Sequence, residues 1–192
     1  MAQTATNVSA AKPKIGGAIY VADTTATMPT TADSTLGAGW TALGYISEDG
    51  LTNANTPNTD TIKAWGGDPV LTVYNAKDDT FKFQLLEVLN IDVLKTVFGS
   101  DNVTGALSTG ITIKVNNKDL ETKAYVFDMV MRGGAMKRIV IPMASITDLG
   151  DVTYADSDAV GYDITLGAQS DSAGQTHYEY IKAASGATGA NG

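Results

Sequence analysis

The sequence predicts a mainly β chain with one short helix. Three observations carry that expectation: period-two alternation of apolar residues in most of the segments between loops, glycine and asparagine punctuation between those segments, and a single stretch with helical spacing. At 192 residues the chain has room for one domain, or one domain with arms.

Residues 1–14 read as a flexible N-terminal arm, because Met1 to Ala11 are small and polar. Asp23 to Gly39, rich in Thr, Ala and Ser, reads as a long surface loop. A second polar span runs from Glu48 to Pro69. Such a length without apparent structure is unusual in a compact domain and is commonly functional. Phe81, Phe83 and Leu85 then share one strand face, with Lys82 and Gln84 on the other. Asn90 is placed to cap a two-turn helix whose Ile91, Leu94, Val97 and Phe98 lie on one side, with Gly99 as its stop.

Ile111, Ile113 and Val115 alternate again, as do Tyr125, Phe127, Met129 and Met131. Gly133-Gly134 suggests a hairpin turn that needs positive φ. Ile139, Ile141 and Met143 form the next run, and Pro142 within it reads as an edge signal. Val160, Tyr162, Ile164 and Leu166 make a further strand, followed by one from Thr176 to Lys182. The domain therefore spans 15–183, and residues 184–192 read as a flexible C-terminal tail.

Composition narrows function. There are no cysteines and one histidine, so thiolate metal sites, cysteine nucleophiles and multi-histidine centres are excluded. Thirteen basic against 21 acidic residues give a formal charge of −8, a surface that repels phosphate rather than gripping it. No run approaches the length of a membrane span, so no membrane partner is expected.

Few constellations carry chemistry. His177 and Glu179 would share a strand face; such a pair can support base catalysis, but with no nucleophile elbow beside it the pair reads as a cross-strand polar pair. Asp148, Asp151, Asp156, Asp158 and Asp163 have a spacing open to calcium ligands, yet match no EF-hand and read as turn acids. Gly37-Ala38-Gly39, Gly66-Gly67 and Gly133-Gly134 lack the context of a phosphate loop. No enzyme activity, cofactor or metal is expected. Arg132, Lys137 and Arg138 form the only basic cluster, at a hairpin tip where they would be solvated or would meet the acidic run across an interface. Trp65, at the far end of the Glu48–Pro69 span, would either anchor a partner or pin the loop to its own core.

One family shows the same order of words. Trp40-Thr41-Ala42-Leu43-Gly44-Tyr45-Ile46-Ser47-Glu48-Asp49-Gly50 is followed by Ile62-Lys63-Ala64-Trp65-Gly66-Gly67-Asp68. Phe81 to Glu87, Leu94, Phe98-Gly99, Ile141-Pro142-Met143-Ala144 and His177-Tyr178-Glu179-Tyr180 come after. From about Ile15 to Lys182 the chain resembles the major tail protein, or tail tube protein, of long non-contractile-tailed bacteriophages (siphophages).

That resemblance implies a β-sandwich or half-barrel tail-tube fold with a flanking helix, and a virion protein made in the bacterial host cytoplasm. It implies hexameric rings stacked as a tube around a tape measure protein, with tail terminator and tail-tip proteins at the ends and DNA as passing cargo. It also makes 48–69 an assembly loop. The contact candidates are then Glu48, Asp49, Gly50, Asn53, Pro57, Trp65, Gly66 and Asp68, with Arg132, Lys137 and Arg138 on the basic tip. The alternative is a β-sandwich module binding carbohydrate or protein through Trp40, Trp65 and the tyrosines.

Overall fold

The computed structural model describes residues 5–15 and 17–184. The first four residues of the expected arm and 185–192 of the expected tail lie outside them. Among the described residues there are eleven strands and one α-helix: β1 Ala11–Pro13, β2 Ile19–Asp23, β3 Thr41–Ala42, β4 Thr52–Lys63, β5 Pro69–Leu85, α1 Ile91–Phe98, β6 Val103–Ala106, β7 Gly110–Ile113, β8 Lys123–Met131, β9 Met136–Leu149, β10 Tyr162–Ala168 and β11 Tyr178–Lys182. No helix among them is long and apolar enough to cross a membrane. The chain is mainly β, as its alternation predicts.

Nine strands form one antiparallel sheet in the order β3-β2-β8-β9-β10-β5-β4, with β1 also paired to β8 and β11 also paired to β9. β6 and β7 make a separate hairpin. The segment 11–13, expected within a flexible arm, instead pairs with Met129 to Met131.

The core lies on one side of the large sheet. Phe83 sits opposite Ile164, Phe81 opposite Leu166, Tyr125 opposite Ile141 and Phe127 opposite Ile139. Cross-strand pairs of this kind are the unit of sheet stabilisation. Phe127 stacks on Phe81 at 6.2 Å and meets Phe83 edge-on at 5.2 Å. Helix α1 adds buried Val93, Leu94 and Val97 to the same cluster. Its cap forms as the sequence suggests: the Asn90 side chain accepts the Asp92 N–H at 3.0 Å, and Gly99 takes φ 93°. The helix is too short to persist unaided, so this packing holds it.

The other side of the sheet carries a buried ion pair. Asp128 and Arg138 face each other across β8 and β9, and the Arg138 side chain is only 1% exposed. Arg138 Nε donates to Asp128 Oδ1 at 2.6 Å and Nη2 to Oδ2 at 2.8 Å. Nη1 donates to the carbonyl oxygens of Thr31 and Ser34 at 3.0 and 2.9 Å. The long 24–40 loop is thereby strapped across the back of the sheet, and its own Ala32 is buried. Lys182 adds a salt bridge to Asp33.

Arg138 is thus not part of a solvated basic tip. It follows Lys137 in sequence, but strand alternation sends the two side chains to opposite faces. Pro142 is not at an edge either. β8 pairs one side of β9 as far as Ala144, while on the other side the β11 ladder ends at Val140 and the β10 ladder starts at Ala144. Pro142 lies in that gap, where the register with β8 also shifts, so its missing N–H costs the ladder little. Gly133 and Gly134 make the β8–β9 turn with φ 85° and 84°, as the sequence requires.

Removing one partner of a buried charge pair leaves the other uncompensated. Asp128→Ala should therefore cost about 3–5 kcal/mol, read from the shift in urea midpoint. The double variant Asp128→Ala/Arg138→Met should recover part of the loss. An Asp128→Ala protein as stable as the parent would show that the pair is not what holds the strap.

Candidate assembly surface

The span expected to be a loop is a β-ribbon. β4 and β5 pair along twelve residues of β4, from Thr52 opposite Lys82 to Lys63 opposite Pro69. Every residue from 52 to 78 is exposed. At about 3.4 Å per residue, the part beyond the sheet extends roughly 30 Å from the domain. Two bulges shape it, one leaving Asn75 unopposed between the Asn58 and Thr59 pairs and one leaving Val70 unopposed near the tip. Asn75 donates its side-chain amide to Asp60 at 2.6 Å, which ties the first bulge across the strands.

At the tip, Ala64 N–H reaches Asp68 O at 2.8 Å, and Gly67 N–H reaches Ala64 O at 3.0 Å. Gly66 and Gly67 take φ 118° and 98°, conformations that strain any residue with a Cβ. Trp65 is 107% exposed. It touches nothing of its own core, which removes the reading in which it pins the span down. Ile62 and Leu71 face each other across the ladder, with Val70, Val73 and Tyr74 also exposed beside them. A lone two-stranded ribbon is marginal in water at best, and contiguous exposed apolar groups mark interaction sites.

The ribbon is held at its root by Asp79. β5 is one continuous strand whose burial changes at this residue, from exposed Pro69–Asp78 to the buried alternation of Phe81, Phe83 and Leu85. The Asp79 carboxylate is buried and accepts hydrogen bonds from Asn53 Nδ2 at 2.8 Å, Thr176 Oγ1 at 2.6 Å and His177 Nδ1 at 2.5 Å. Burial by itself would raise the pKa of Asp79. The hydrogen bonds from Thr176, Asn53 and His177 outweigh it and leave the pKa below its ordinary 3.8. His177 also packs edge-on against Phe81, with ring centres 5.2 Å apart.

His177 is therefore a structural partner of Asp79 and does not pair with Glu179, whose salt bridge goes to Lys137 at 2.9 Å. Sequence reasoning missed Asp79 and Thr176. The available signal was a carboxylate set immediately before a buried alternation, at a position where a solvated turn would be the ordinary reading.

The other candidates divide by place. Glu48, Asp49 and Gly50 form the turn before β4, closed by Gly50 N–H to Ser47 O at 3.0 Å, and both acids are exposed. Asn53 is committed to the root. Pro57 lies mid-ribbon opposite Lys77. Trp65, Gly66 and Asp68 occupy the tip. Arg132 is exposed at the β8–β9 turn, and its backbone N–H bonds Ala10 O and the Ser9 hydroxyl. Lys137 and Arg138 are both paired inside the protomer, so the basic cluster offers Arg132 alone. Within the acidic run, Asp163 pairs with Lys82 at 3.0 Å. Among the described residues, no three His, Cys, Asp or Glu side chains are placed to hold a metal ion.

A projecting apolar ribbon on a small β domain suits a subunit built to be gripped by another molecule. A family model described as phage tail tube protein matches residues 4–190. The chain belongs to that family. No curated protein matches it. Family membership makes it a structural component of a phage tail, one that self-assembles into a tube.

Because its pKa is lowered on folding, Asp79 contributes stability that is whole above about pH 4 and lost as pH falls through the lowered folded value. The urea-midpoint difference between the parent and Asp79→Asn should accordingly be largest near neutral pH and shrink in acid. Asp79→Ala should cost about 1–3 kcal/mol, the penalty for stranding buried donors, with faster amide exchange at the ribbon root. A difference that stays constant down to pH 2 would rule out the carboxylate as the lock.

Proposed function

We propose that the subunit assembles into hexameric rings that stack head to tail as the tail tube, the conduit through which DNA passes during infection. The tube would enclose a tape measure protein, end at tail terminator and tail-tip proteins, and be built from subunits made in the host cytoplasm. The role is structural and not enzymatic. The observation that carries this reading is the β4–β5 ribbon, about as long as a domain of this size is wide and apolar toward its tip.

Elementary physics supports it. The outer edge of β4 is unpaired along the ribbon, and exposed edges of that length are an aggregation hazard unless a neighbour covers them. A contact between two different surfaces of one chain closes into rings or propagates as a filament. On this reading Pro57, Trp65, Gly66 and Asp68 meet a neighbour, Glu48, Asp49, Gly50 and Arg132 border the contact, and Asn53, Lys137 and Arg138 hold the protomer together. A formal charge of −8 keeps a polyanion from adhering to the conduit, within a screening length of about 8 Å.

Negative-stain microscopy and sedimentation velocity over rising concentration should give hollow rings and tubes with sixfold end views. Thr56 and Asp78 are directly paired, so the ribbon beyond them can be replaced by an Asn-Gly turn without disturbing the root. That variant should fold with an unchanged urea midpoint and form no tubes. Tubes of normal length from it would sink the role given to the ribbon.

A further inference from the structure

A groove of about 550 Å³ opens between residues 13–15 and 17–18 on one side and residues that follow β3 on the other. Ile15, Ala18, Tyr45 and Ile46 line it, together with Lys14 and Glu87. Ile15 and Tyr45 are large apolar residues left in water. Pockets of this volume, mostly apolar with a few fixed polar groups, take ligands of small-molecule size, and an indole is well within that range.

We propose that this groove receives the ribbon tip of a second copy of the chain, with Trp65 seated against Tyr45 and Ile46, Lys63 facing Glu87, and Asp68 facing Lys14. The proposal rests on the self-assembly reading and names the receptor that reading leaves open. The chain's own ribbon does not fill the groove, since every residue from 52 to 78 is exposed.

Charge complementarity selects the occupant. The tip carries one cation and one anion flanking a tryptophan, and the groove carries one anion and one cation flanking an apolar wall. Among the described residues, Lys63 and Asp68 form no ion pair, so both arrive unpaired. Glu87 is fixed in place by the Tyr45 N–H at 3.1 Å and the Asn90 side-chain amide at 3.0 Å. A carboxylate accepts more than two hydrogen bonds, so Glu87 retains capacity for a cation.

Gly44, at φ 77°, is what allows this: a Cβ there would collide with the Glu87 carboxylate. Lys14 lies 3.4 Å from Asp128, whose carboxylate Arg138 already holds at both oxygens, so the ammonium has donors to spare. On the tip side, Gly66 and Gly67 carry no side chains that would obstruct entry. Tip and groove are different surfaces, so the contact repeats from one copy to the next.

The absence of native cysteine makes the test clean. Full-length Ala64→Cys and Ala42→Cys proteins, altered at small exposed residues beside Trp65 and on the groove wall so that the anchor and its seat stay intact, are mixed under assembly conditions and treated with a short bis-maleimide. A mixture of Ala64→Cys and Leu107→Cys serves as the control, because Leu107 is exposed on the separate β6–β7 hairpin. The expected result is a heterodimer in the first mixture, about tenfold above the control, and Trp65→Ala should raise the concentration needed for assembly by about tenfold or more, as loss of an aromatic anchor does. Tubes that form with no excess of the Ala64→Cys/Ala42→Cys product would overturn the groove assignment and leave the tail-tube reading standing. Parent protein that forms no tubes at any concentration, together with cysteine variants that give no cross-link, would overturn both the groove and the stacked-ring reading.

Discussion

One uninterrupted strand sets the geometry of the whole molecule. β5 begins as half of a solvent-exposed ribbon and ends in the middle of the core, without a loop or hinge between the two. Phe81, Phe83 and Leu85 are fixed by Ile164, Leu166 and Tyr162 across the ladder. The direction of the ribbon is therefore inherited from core packing. A two-stranded ribbon has little stability of its own, and a flexible connection at its base would leave it to fray. Asp79 sits where the environment changes, and its carboxylate gathers donors from β4 and from the segment entering β11. The root is thus braced from two directions.

The Asp128–Arg138 pair plays the matching part on the opposite face. Buried ion pairs are poor sources of net stability, because desolvation consumes most of the attraction. Here the guanidinium is used twice, once against the carboxylate and once to hold two loop carbonyls. The 24–40 segment carries only Met28, Leu36 and Trp40 as large apolar side chains, and polar contacts do much to fix its path. An apolar substitute for the pair could match its volume but would leave the Thr31 and Ser34 carbonyls without their partner.

What the sequence made legible follows from burial. Wherever one face of a strand meets the core, alternation marks it, as at Phe81–Leu85, Tyr125–Met131 and Tyr162–Leu166, and the Asn90 and Gly99 caps located the helix. Thr52–Lys63 carries no such mark. Both its faces are in water in the single subunit, so Thr-Asn-Ala-Asn-Thr-Pro reads as loop although it is strand, defined only by the partner at Pro69–Leu85. Arg138 was hidden for a related reason. Its neighbour Lys137 is half-buried and salt-bridged, and the register that places Arg138 beside Asp128 is a property of the folded sheet. His177 meets Asp79 across 98 residues of sequence, a distance no local motif reports. Trp65 was visible as a feature, but only its complete exposure in the folded chain removes the core-pin reading.

The difference between loop and ribbon changes the energetics of association. A disordered segment of this length would be ordered at the moment of binding, and that entropy would be subtracted from the contact energy. In the ribbon, the β4–β5 ladder, the bridged bulge at Asn75 and the Asp79 root have already met much of that cost during folding. What remains to be ordered is the tip and the side chains around Trp65. Preorganisation of this kind lets a small apolar tip bind usefully where a floppy loop of the same composition would not. On the proposed contact, the hydrogen bonds around Asp79 would act on assembly only through the shape in which they present the ribbon.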